Sequence, residues 1–151
     1  MAETFDEQFK AGVNRRLDKL APDTKARWGK MNVAQMLAHM NDAFKISLGM
    51  KQAVVRSSFY KHNIMFPVAV YVLPFWPHGE ATAPELNQLE LGTPARDFYT
   101  ELEFLLKMID VFNEREEKKL KPHPMFGNLS KKQWHDLLVK HLNHHLTQFG
   151  V

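Results

Sequence analysis

The chain has 151 residues, enough for one domain with a substantial core and too few for two comfortable ones. Hydrophobic residues make up 44%, charged residues 25%, and the formal net charge is +3 with histidines neutral, which fits a globular domain and leaves no nucleic-acid footprint. There is no cysteine, which excludes disulfides, thiolate metal ligands and a cysteine nucleophile, and fits a reducing compartment.

The opening residues, MAETFDEQFK, have no apolar run behind a basic start, so no signal peptide is expected there. The first helix is expected in TFDEQFKAGVNRRLDKL (4–20), where Thr4 and Glu7 form a capping box and Phe5, Phe9, Val13 and Leu17 recur every four residues. The second follows Asn32, a good N-cap, and ends at Gly49. Its apolar residues occupy more than one face: Met36, His39, Ala43 and Ile46 on one, Leu37, Phe44 and Leu48 on another, the mark of a helix packed on several sides.

Residues 50–93 are too many for a helix-to-helix turn and read as a long crossover. They include IMFPVAVYVLPFWP (64–77), too short to cross a bilayer and interrupted by Pro67 and Pro74, hence a short buried or interfacial segment. A third helix is expected from GTPARDF, with Thr93 as N-cap and Pro94 in the first turn, continuing through Leu102, Leu105, Leu106, Ile109 and Phe112. EREEKKLK (114–121) is a dense run of both signs, a solvated helix end. HPMFGNLS (123–130) is a turn that aims the last helix, with His123 fixing the loop or facing a pocket. Ser130 and Gln133 form a capping box for that fourth helix, which runs nearly to the end.

The last helix carries the chemistry. On a wheel advancing about 100° per residue from Trp134, His141 and His145 lie within about 20° of the inward stripe, Gln148 shares their face, and His144 is displaced by about 80°. A histidine pair spaced i, i+4 can bind one cation, and two ligands alone make a weak site. His39, on an apolar face of the second helix, offers a third if the two helices touch. Burying it among apolar residues is costly unless its nitrogens find partners. The competing reading is a hydrogen-bonded polar network with no metal. Asp42, His144 and Gln148 are candidates to support the ligands; Asp42 either reaches the metal, holds a neighbouring histidine or is an exposed polar residue. His62, His78 and His135 read as loop or surface residues.

Three segments, WGKMNVAQMLAH, HPMFGNLSKKQW and HLNHHLTQFG, resemble the DinB-like superfamily, and more closely its small branch of proteins of undefined function. The superfamily pattern of one histidine in the second helix and an H-x-x-x-H pair in the last falls on His39, His141 and His145. The resemblance implies an all-α fold: a single four-helix bundle over 1–151, up-down-down-up, with the long crossover between helices 2 and 3. It further implies a divalent metal, nickel or zinc, with open positions, and a homodimer. Some relatives transfer low-molecular-weight thiols. The expectation is therefore a cytoplasmic metal-binding protein acting on a small molecule, as a thiol transferase with a thiol cosubstrate or as a hydrolase, without nucleic acid or membrane. Two alternatives stay open: a non-catalytic ligand- or metal-binding module, and a dimerising structural protein with no metal.

Overall fold

The computed structural model describes residues 4–79 and 82–151; Met1–Glu3, the start of the segment expected to hold no signal peptide, and the Glu80–Ala81 step of the crossover lie outside them. Among the described residues every secondary-structure element is helical, apart from one isolated antiparallel bridge between His123 and Gly127. Four α-helices run Glu7–Leu17 (α1), Val33–Leu48 (α2), Phe98–Glu114 (α3) and Lys131–Gln148 (α4). The central helix is α2, which packs against both α3 and α4. Its buried residues lie all round it, from Val33 and Leu37 to Phe44 and Leu48, as its two apolar faces require.

The ends of α2 and α4 follow the local sequence. Asn32 and Gln35 satisfy each other's backbone N–H groups in a capping box, as do Ser130 and Gln133. Gly49 closes α2 in the left-handed conformation, φ 75°, which a residue with a Cβ adopts at a cost.

The starts of α1 and α3 depart from expectation, each for a tertiary reason. Thr4 does not cap α1; Asp6 does, its carboxylate accepting from Phe9 N at 2.7 Å. The backbone of Phe5 is already engaged, its N–H donating to Asn113 Oδ1 and its carbonyl accepting from Asn113 Nδ2, both at 2.7 Å. That exchange ties the chain to α3 before α1 begins. Thr93 likewise does not cap α3, because its N–H and hydroxyl both donate to Asp42, at 2.7 and 2.6 Å. Asp97 takes the capping role four residues later, accepting from Thr100 N.

The crossover contains a continuous helical run over 59–72 with π-helical turns at Lys61–Met65 and Val68–Val72, then a 3-10 turn at Pro84–Leu86. The run buries only Phe66 and Val70 and lies against α4. Between α3 and α4, the HPMFG loop is fixed by His123, whose Nδ1 accepts from the N–H groups of Met125 and Phe126. Lys131, at the start of α4, donates to the carbonyls of Asn113 and Arg115 and so satisfies the open C-terminal end of α3. Trp134 Nε1 donates to Lys121 O at 3.0 Å, setting how α4 leaves the loop.

Candidate metal centre

Because α2 and α4 pack together, residues 102 positions apart meet: His39 Nε2 lies 2.8 Å from His141 Nε2. His39, His141 and His145 are all buried, each offering a nitrogen within 4.8 Å of the others. Their ring centroids form a near-equilateral triangle with separations of 4.6–4.7 Å, all edge to face. These are the three histidines that helical spacing puts on inward faces.

Two of the rings have their tautomers set by fixed acceptors. His39 Nδ1 is 2.6 Å from the carbonyl of Leu86, in the 3-10 turn of the crossover. A carbonyl only accepts, so His39 carries its proton on Nδ1 and presents a lone pair at Nε2. His145 Nδ1 is 2.7 Å from Gln148 Oε1, while Gln148 Nε2 donates to Trp28 O at 2.9 Å. That second bond orients the amide, so the oxygen faces His145 and leaves its proton on Nδ1 as well. Holding the far nitrogen of a ligating imidazole in this way is how proteins orient metal-binding histidines.

Electrostatics favour the same state. Burial pushes the pKa of His39 down, and those of His141 and His145 well down, with the neighbouring imidazoles adding mutual repulsion for the latter two. The three rings are therefore neutral at pH 7, as metal ligation requires. The donor set fits a divalent ion: three neutral nitrogens, two of them held by hydrogen bonds on their outer side. At the His39–His141 contact, either His141 donates into the His39 lone pair or the two lone pairs converge on a shared cation.

The supporting residues divide. Gln148 holds His145 directly. His144, half-buried, stands edge to face with His145 at 4.9 Å and near Trp28 and Trp76, without a hydrogen bond to the trio among those described. Asp42 is neither exposed nor in contact with a histidine: its carboxylate, fully buried, accepts from Lys51 Nζ at 2.8 Å as well as from Thr93. One turn from His39, its charge raises that histidine's pKa against the larger effect of burial.

Sequence reasoning leaves out one group near the trio: the Leu86 carbonyl carries no side-chain signal at all. Trp76 lies 5.7 Å from His141, and Trp28 lies 5.9 Å from His144 and stacks on His78 at 3.7 Å, so aromatic rings border the histidines. Of the other histidines, His62 Nδ1 pairs with Phe126 O and His135 packs on Phe5. A cavity of about 390 Å³ lined by Asn32, Gln35, Gln88 and Arg96 lies apart from the trio and contains none of it.

No curated protein and no solved structure matches the chain. A family model does, over residues 4–150, nearly the whole length and with all three histidines inside it. The chain belongs to the family described as Protein of unknown function (DUF1569).

Proposed function

We propose that His39, His141 and His145 bind a divalent cation, nickel or zinc, and that the protein uses it on a small molecule. One observation carries the reading: three buried, neutral imidazoles converge within 4.8 Å, two of them held from behind by Leu86 O and Gln148. The resemblance to the DinB-like superfamily supports it, and with it an up-down-down-up four-helix bundle acting in the cytoplasm as a homodimer, without nucleic acid or membrane.

Bound by three histidines, such an ion would supply a Lewis-acidic charge that acidifies a water or a thiol. The chain's own residues do the rest. Leu86 O and Gln148 keep both outer ring protons in place, so Nε2 of His39 and of His145 stays unprotonated. Trp76, 5.7 Å from His141, walls one side of the site. Among the described residues no carboxylate hydrogen-bonds to the trio, and the reading names no general base. With no cysteine in the chain, a thiol must arrive as cosubstrate. Thiol transfer to an electrophilic carbon and hydrolysis of a small ester or amide are the two reactions the site suits.

The His39–His141 hydrogen bond favours one competitor, a polar network that serves structure alone. Elemental analysis of untagged protein, reloaded with nickel or zinc, separates the two. The metal reading expects stoichiometric ion, a melting temperature lowered by EDTA, and loss of both in His141→Ala. Substoichiometric ion with an EDTA-insensitive melt overturns it. A loaded protein inactive toward thiol acceptors and esters would instead be the non-catalytic binding module.

A further inference from the structure

The crossover helix over 59–72 shows solvent a face that nothing among the described residues covers. Phe66 and Val70, four residues apart, form its buried side. Turns wider than an α-helix suit a spacing of four, so Tyr60, Ile64, Val68 and Val72 align on the opposite side. Phe59 is 81% exposed, Tyr60 60%, Val72 68%, and Phe75 just beyond the helix 73%. The sequence places this apolar stretch in a buried or interfacial role, and burial is not where it lies.

The size of the face bears on its occupant. With the exposed Met65 and Tyr71 added, the face has four aromatic and four aliphatic side chains and exposes roughly 800 Å² of apolar surface. The largest patch on a typical monomer is about 300–600 Å², and a specific interface buries about 800 Å² per partner. Its rim carries both signs in pairs: Arg56 with Glu85 at 3.2 Å, and Lys132 with Asp136, which also accepts from Tyr71 OH. Lys61 and Lys140 donate to the backbone carbonyls of Arg56 and Leu73. Those rim residues are four cations against two carboxylates, and an apolar centre with a charged rim of both signs is the anatomy of a protein interface.

We infer that this face is a two-fold interface with a second copy of the chain, the Tyr60–Ile64–Val68–Val72 stripe packing on its own symmetry mate. A stripe without charge is self-complementary, and across a two-fold axis the rim's carboxylates can meet the mate's surplus lysines. The inference names the face for the homodimer expected above, and it stands whether or not the histidines bind metal.

Sedimentation velocity of the full chain, up to about 100 µM, is the test. The expected species has twice the chain's 17.6 kDa, and Val68→Asp raises the dissociation constant at least ~100-fold. Because Val68 is 41% exposed, that variant should keep its helical circular dichroism and its metal content. If it loses helicity, Ile64→Ser/Val72→Ser takes its place. A wild type that stays monomeric overturns the inference, as does a folded variant that stays dimeric. Monomeric wild type pelleting with phosphatidylcholine–phosphatidylglycerol vesicles overturns it too, and gives the face to a membrane.

Discussion

Gln148 sets the orientation of His145, and Gly29 is what lets Gln148 reach its place. Gly29 has φ 84°, and a Cβ there would meet Gln148 Nε2 at 2.6 Å. Gly29→Ala is therefore expected to cost about 1–3 kcal/mol from the left-handed backbone alone. It should also displace the amide from Trp28 O and release His145 Nδ1. Denaturant melts read the first effect, and ¹⁵N chemical shifts of the His145 ring read the second. An unchanged ring signature would show that Gln148 does not hold the tautomer. His123 makes a separate prediction through pH. Burial pushes its pKa from the ordinary 6.5 to about 3, so the folded chain resists a proton that the unfolded chain accepts. Stability from this group is fully present above pH 6.5 and is lost as pH falls toward 3. In His123→Asn the amide oxygen can still accept from Met125 and Phe126 N–H, while the titration is gone. Between pH 6 and 5, above the carboxylate range, urea melts of this variant should show a slope smaller by up to about 1.4 kcal/mol per pH unit. Equal slopes in variant and wild type would remove His123 from acid sensitivity.

At the level of elements, the crossover reaches the candidate metal centre through the ion pair of Lys51 with the buried Asp42. Lys51 Nζ donates to Asp42, to the carbonyls of Glu85 and Leu91, and to Thr93 Oγ1. These bonds hold the 3-10 turn Pro84–Leu86 and the approach to α3 against α2, and the turn delivers the Leu86 carbonyl to His39. Asp42 thus supports His39 at one remove, through lysine and turn, where spacing along α2 left a metal ligand, a neighbour of a histidine and an exposed polar residue all open. Lys51→Met leaves the fully buried carboxylate only the more distant Lys45, 3.8 Å away, and losing the close partner of such a pair costs up to about 3 kcal/mol. The variant should also bind nickel or zinc more weakly, because its His39 acceptor is no longer fixed. Adding Asp42→Asn should recover part of the stability, since a neutral amide no longer needs the lysine. A double-mutant cycle from urea melts checks this; a coupling energy near zero would mean that the turn is held by its other bonds.

Across the whole molecule, what the sequence discloses is set by how local the cause is. Asn32 with Gln35 and Ser130 with Gln133 are three residues apart, so both capping boxes can be read directly. His141 and His145 share a face because a helix repeats, and His39 joins them because its apolar neighbours mark a face that must meet another helix. The Leu86 carbonyl is 47 residues from the histidine it holds, and every residue has such a group. Thr93 and Asp97 are both good caps, and only the position of Asp42 in space decides between them. The π-helical turns of the crossover do not repeat at 3.6 residues, so they leave no α-helical periodicity in the sequence. The same long-range assembly makes the candidate site a global lever on stability, since its ligands come from α2 and α4 and are brought together only by folding. A cation that binds the folded chain alone stabilises it by RT ln(1 + [L]/Kd), about 2.7 kcal/mol at a hundredfold excess over Kd. In a chain of this length each kcal/mol moves the melting temperature by about 2–4 °C, so nickel or zinc should raise it by roughly 5–10 °C. His39→Ala and His145→Ala should each abolish most of the shift, while His135→Ala, on the far side of α4 against Phe5, should keep it. Calorimetric scans with and without ion decide the matter: a shift that survives loss of His39 or His145 would locate the cation elsewhere in the molecule.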